Sequence, residues 1–229
     1  MPQPIHHFKR RASRLEPLHE VRRSDTAIPV DSYPRIDPGL DQQSASRERG
    51  LMYAAHFAAG LAVKGRAPQA PAWALMTAIF LPDFIWIALA RLGIEPQSGP
   101  RGFFDDWSHS LLMVILWAIL FASFFWKRGR VVVLALWIAG LSHFVLDFLI
   151  HPARLALFPR STVHLGWDLW VFGQTKSALG PNHYWWVEMA MILPLVCLYV
   201  WWSRKAQFPP RLVAASCLLV VGLHLLALG

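Results

Sequence analysis

The chain of 229 residues is 55% hydrophobic and only 16% charged, with a mean hydropathy of +0.36, which excludes an ordinary soluble globule and points to a polytopic membrane protein. Its formal charge of +8 reads as charge flanking membrane segments; no DNA- or RNA-binding motif accompanies it, and no nucleic-acid partner is expected. The tryptophans near the ends of apolar runs suit a membrane–water boundary, while Cys197 and Cys217 lie inside such runs and outline neither a disulfide framework nor a thiolate metal site.

In chain order, residues 1–50 come first. They are polar, rich in Arg and Pro, and without helical or alternating periodicity, so a disordered tail is expected. No apolar core of a signal peptide is present in them. Met52 opens MYAAHFAAGLAVKG in the manner of a natural beginning, so an over-extended start covering 1–51 is also an expectation. Tail peptides found in the native protein by mass spectrometry would rule it out.

Six apolar segments follow, at about 52–63, 71–91, 108–126, 131–151, 184–203 and 212–229. The middle four reach the roughly 20 residues that a helix needs to cross hydrocarbon. The first is short and reads as a half-helix, an interfacial helix, or a span completed by residues 64–70. The expected fold is therefore all-α: a polytopic membrane helix bundle over 51–229 with about five to six membrane helices. Pro82 and Pro194 lie within spans, where kinks are expected.

Charge sets the orientation. Lys64, Arg66, Lys127, Arg128, Arg130, Arg204, Lys205 and Arg211 sit in short loops without acids, which the positive-inside rule places in the cytoplasm. Loops 92–107 and 152–183 then face outward, and the protein is expected in the inner membrane of a bacterium with its unusual polar residues toward the periplasmic side. A spanning first segment would leave the basic tail outside, against the rule; an interfacial first helix or the later start removes the conflict.

The most telling feature is an ionisable pair inside VVVLALWIAGLSHFVLDFLIHP. His143 and Asp147 share a helix face at i, i+4, with His151 one further step along. A carboxylate at a membrane-helix centre costs about 2.5–3.5 kcal/mol on insertion scales. Such a stripe is tolerated as a proton path, as polar glue between helices, or as a metal site. With His56, Asp83, His109, His164 and Asp168 the candidates form a thiol-free set of imidazoles and carboxylates, the donors that suit zinc and similar divalent ions. HFVLD and HLGWD both read His-x-x-x-Asp, which aims both groups at one point if helical.

Each residue also has a plainer reading. Asp83 can meet backbone amides freed by Pro82. His109 can be a first-turn residue behind a Ser108 or Asp106 cap. His56 can be an interhelical hydrogen-bond donor on an Ala-rich face. His164 and Asp168 can face solvent in a loop that is not helical. Glu188 can be a further ligand or a boundary residue, and His224 a packed core residue.

The order MYAAHFAAG, FLPD, SHSLL, LSHFVLD, from Met52 to about Tyr199, resembles the bacterial membrane-bound metal-dependent hydrolases. Where that family has His-Arg-Gly before a Thr-His-Ser motif, this chain has FFDDWSHS, with Asp105 or Asp106 in place of the lost polar groups. The order is also similar to that of the zinc-dependent phospholipase C and single-strand nuclease group. That second resemblance implies one metal held by Asp83, His109, His143 and Asp147. It implies another held by His151, His164 and Asp168, and a third shared by His56 and Asp147. The group's free N-terminal tryptophan ligand is missing here, and its final glutamate is Asp168.

The resulting expectation is a membrane hydrolase using a divalent metal, with zinc the first choice. It would act on a phosphoester or lipid at the outer side, with Asp83 bridging metals or taking the proton of the attacking water. The alternatives are a proton or metal-ion transporter using the same buried groups, and a non-catalytic membrane protein with a structural polar or metal core.

Overall fold

The apolar runs become helices because they are rich in Ala and Leu and are interrupted only where Pro, Ser or Gly intervenes. The computed structural model describes residues 53–95, 105–150, 155–166 and 183–226; the polar tail lies outside them. Helix α1 is Tyr53–Arg66, and its last turn is closed by Lys64, whose Nζ donates to the carbonyls of Pro68 (2.6 Å) and Ala70 (2.7 Å). Helices α2 (Ala72–Ile79) and α3 (Leu81–Arg91) form a pair bent by 55°. Pro82, in the first turn of α3, explains the break, because its ring excludes the carbonyl four residues back and it has no N–H to give. The expected kink is thus a full interruption centred on Phe80.

The run read as one segment at 108–126 is also broken. A short helix α4 (Asp106–His109) ends at Ser110, whose extended backbone (φ −63°, ψ 149°) turns the chain into α5 (Leu111–Ser123). His109 therefore closes one helix instead of opening the next. Gly129, at φ 93°, makes the left-handed turn into the long helix α6 (Arg130–Ile150). A two-residue hairpin follows, β1 (Leu155–Ala156) antiparallel to β2 (His164–Leu165), so part of the loop after α6 is extended and not helical. It is tied to α4 and α5 by Arg160 N–H donating to Asp106 (2.7 Å) and Leu112 N–H donating to the Leu157 carbonyl (3.1 Å). The last helices are α7 (His183–Lys205), which runs through Pro194 without interruption, and α8 (Pro210–Leu226).

Among the described residues, α6 and the Trp186–Lys205 part of α7 are long and apolar enough to cross a membrane, and the bent α2–α3 pair makes a third if counted as one span. Helices α5 and α8 are apolar but shorter. Their outward surfaces, with Leu116, Ile119, Leu120, Leu218 and Leu219 about half exposed or more, are what lipid-facing helices present.

The core depends on small side chains. Ala54, Ala55, Ala58, Ala59 and Ala62 give α1 a smooth buried face against α7 and α6, as small residues do in membrane bundles. Gly140 lets α6 meet α5 so closely that a Cβ there would lie 2.8 Å from the Cβ of Ala118. We expect Gly140→Ala to destabilise the protein by about 1–3 kcal/mol through overpacking. Ala118→Gly should relieve part of that loss, so thermal unfolding in detergent should show a double variant less impaired than the sum of the two single changes.

Candidate functional site

Four helices bring five of the sequence candidates together. His56 comes from the first turn of α1, Asp83 from the first turn of α3, His109 from the end of α4, and His143 and Asp147 from α6. Their donor atoms form two groups, His56–His143–Asp147 and Asp83–His109–His143, with the atoms of each group lying within 4.8 Å of one another. His143 belongs to both. Its Nε2 faces Asp147 Oδ2 at 3.1 Å and its Nδ1 faces Asp83 Oδ2 at 3.9 Å. The second oxygen of each carboxylate faces another imidazole, Asp147 Oδ1 to His56 Nε2 at 3.5 Å and Asp83 Oδ1 to His109 Nε2 at 3.4 Å. The rings are close as well, His56 to His143 at 4.4 Å and His109 to His143 at 5.2 Å between centroids.

These separations bear on what the cluster holds. Hydrogen bonds from nitrogen to oxygen fall at about 2.7–3.2 Å. Two ligands on a tetrahedral zinc, each bonded at about 2.0–2.1 Å, stand about 3.4 Å apart. Three of the four nitrogen–oxygen distances exceed the first range. Neither ring nitrogen of His143, a residue 2% exposed, is aimed along a hydrogen bond, even toward Asp147. Leaving such a buried group unbonded costs about 1–3 kcal/mol. A divalent cation would relieve that cost and answer the charge of the buried carboxylates, and these donors fit one. Among the described residues each group supplies three ligands, one fewer than a closed tetrahedral shell. Asp83, with a side chain 29% exposed against 2–10% for the others, marks the open side.

Surrounding groups hold the donors in place. Glu95, fully buried, accepts from the backbone N–H groups of Trp107 and Ser108 and from the Ser108 hydroxyl, while Ser108 Oγ lies 2.8 Å from His109 Nδ1. Burial pushes the Asp105 carboxyl up to about 6, against the pull of the His109 ring, so a group that changes charge just below neutral pH stands beside α4. Glu188, from α7, accepts from the Ala55 N–H (3.3 Å) and lies 2.8 Å from His224 Nδ1 of α8. It thereby anchors the first turn of α1, one residue before His56, where a helix has unsatisfied amides.

His164 does not join the cluster. It lies exposed on β2, paired with Ala156 in a strand and so without the helical geometry that HLGWD suggested. His151 and Asp168 lie outside the described residues. Glu95 went unread because nothing in GIEPQ marks it as reaching α4, thirteen residues on. Glu188 and His224 do interact, but as partners of each other and not as a ligand and an isolated packed ring.

Since His143 serves both groups, we expect His143→Ala to abolish divalent-ion uptake by the protein. His56→Asn and His109→Asn each leave one group's other ligands in place and should weaken binding without abolishing it. Elemental analysis of detergent-purified protein, with zinc titration of the variants, reads this directly. Comparison with protein-family models, with curated proteins and with solved structures yields no match.

Proposed function

We propose that the chain is a membrane-embedded, metal-dependent hydrolase that acts on a phosphoester or lipid substrate. The single observation behind this reading is the buried imidazole–carboxylate cluster, with spacings suited to a cation, three ligands per group and one side open at Asp83. The likeness of MYAAHFAAG, FLPD, SHSLL and LSHFVLD to the membrane-bound metal-dependent hydrolases supports it from the sequence side.

In this reading zinc is the resident ion, and His56, Asp83, His109, His143 and Asp147 hold it. A bound divalent ion lowers the pKa of water toward neutrality and offsets charge developing on phosphoryl oxygens. The protein's own contribution is positional. The α6 helix keeps His143 and Asp147 on one face, Ser108 orients His109, and the half-open Asp83 carboxylate takes a proton from the attacking water. The apolar helix surfaces shield the cluster and give a lipid lateral access.

We further propose five to six membrane helices in the bacterial inner membrane, with α5, α8 and α1 completing the set. The basic residues at the far ends of α1 and α7 and at the start of α6 support a site on the outer side.

One observation favours a second reading. His109, Asp83, His143, Asp147 and His56 alternate imidazole and carboxylate in an unbroken row, with each carboxylate using both oxygens and His143 both nitrogens. Such a row would serve a transporter of protons or metal ions. The distances weigh against proton hopping, since three of its four links are longer than a hydrogen bond. Among the described residues each group has three ligands, one fewer than a closed structural metal centre uses.

The test is hydrolysis of phosphodiester and phospholipid substrates by zinc-loaded protein in detergent. Asp83→Asn is expected to lower turnover by about 10²–10⁴-fold. Unchanged turnover would remove the role of Asp83, and a stably folded wild type that takes up no divalent metal would overturn the hydrolase reading.

A further inference from the structure

The buried carboxylate of Glu95 has no part in the cluster, yet it sits two steps behind His109. Its Oε1 accepts from two backbone N–H groups, those of Trp107 and Ser108 (3.0 Å for the latter). Its Oε2 lies 2.8 Å from Ser108 Oγ, and that hydroxyl lies 2.8 Å from His109 Nδ1. An ionised carboxylate only accepts, so the one hydrogen of Ser108 goes to Glu95. The Asp105 carbonyl, 3.0 Å from the same hydroxyl, is the weaker neutral acceptor. With its hydrogen so used, Ser108 Oγ offers His109 only lone pairs, and His109 Nδ1 carries the proton that meets them. The neutral ring then has its lone pair on Nε2, the atom a cation would take; with no cation the Asp83 carboxylate, 3.4 Å from Nε2, is a competing acceptor that draws the proton there.

We propose that Glu95 is a positioning residue that fixes the tautomer of His109 through Ser108, so that Nε2 is presented to the cluster ready to coordinate. Outer groups of this kind fix the orientation and tautomer of metal-binding histidines, and losing one typically costs about 10–100-fold in metal affinity. The consequence for a cation rests on the hydrolase reading of the site; the order of donors and acceptors does not.

Glu95→Gln is the informative variant. The amide it introduces is nearly isosteric and keeps an oxygen for the two backbone N–H groups of α4. It puts an NH2 donor where Oε2 was, so Ser108 Oγ must accept from it and its hydrogen is free for His109 Nδ1. The relay reverses, and the ring proton moves to Nε2.

The experiment uses the full chain, labelled with 15N-histidine, in detergent micelles. Spectra of the metal-free protein are taken in an Asp83→Ala background, which removes the competing acceptor at Nε2, where the His109 ring is neutral, and are assigned with His109→Asn. With Glu95 and Ser108 intact the proton is expected on Nδ1, and with Glu95→Gln on Nε2. Ser108→Ala, which removes the relay and leaves the Glu95 cap on the backbone, is expected to lose the strong preference. Zinc titration of the protein with Asp83 intact should show affinity about 10–100-fold lower in Glu95→Gln at an unchanged unfolding temperature.

In that background, a ring protonated on Nε2 with Glu95 and Ser108 intact, or the same tautomer with and without each of the two changes, overturns the proposal. If the tautomer switches as expected but no sample binds zinc, the inference about Glu95 holds and the metal reading falls. Should Glu95→Gln fail to fold, the Ser108→Ala spectrum decides alone, a retained Nδ1 preference counting against Glu95.

Discussion

A carboxylate inside an apolar helix bundle must be answered by a partner, and Asp147 is the group around which the remainder is arranged. It is 3% exposed, within a helix with little other polarity. One imidazole of the same helix, His143, lies against one of its oxygens, and the other oxygen needs a donor from elsewhere. His56 faces that oxygen at 3.5 Å, so α1 has to approach α6 closely. His143, facing Asp147 on one side, has its second nitrogen turned to Asp83, and the other oxygen of Asp83 faces His109. The demand of one buried acid thus passes through four helices.

Close approach is possible because the helix faces involved carry little bulk. The alanines of α1, and Gly140 of α6 against Ala118 of α5, let backbones come near enough for short side chains such as Asp and His to meet. Bulkier faces would hold the helices apart by more than these side chains can span. The same reasoning explains the pairing of Glu188 with His224 and the Ala55 amide. Bringing α1 against α7 buries the first turn of α1, whose free amides then need an acceptor inside the bundle.

Much of this was legible in the sequence. The His143–Asp147 pair needs only the helical repeat, and Asp83 is marked by Pro82 beside it. The apolar runs also coincide closely with the helices. What escaped had no periodic signal. The break at Ser110 depends on one residue's backbone angle, and serine does not enforce such an angle as proline does. Glu95 acts across a turn on backbone amides, a contact set by the path of the loop and not by a spacing. His-x-x-x-Asp pairs His164 with Asp168 only in a helix, and His164 lies on a strand, β2. Counting spans from run length met the same obstacle, since runs of sufficient length were split by local turns.

Those interruptions and the cluster are one feature. A continuous helix over 72–91 would be about 30 Å long and would cross hydrocarbon unaided. The bend at Phe80 instead starts a new helix, with Asp83 in its first turn, where exposed amides and the helix dipole favour a carboxylate. The stop at Ser110 leaves His109 at the end of α4, with its ring between the Ser108 hydroxyl and Asp83. The two breaks therefore set an acid at a helix start and a histidine at a helix end, 3.4 Å apart, at the open side of a buried ring of donors. Unbroken helices would span more simply, but they would place Asp83 in the middle of one helix and His109 in the first turn of another, so neither would sit at the break that now brings it to the cluster.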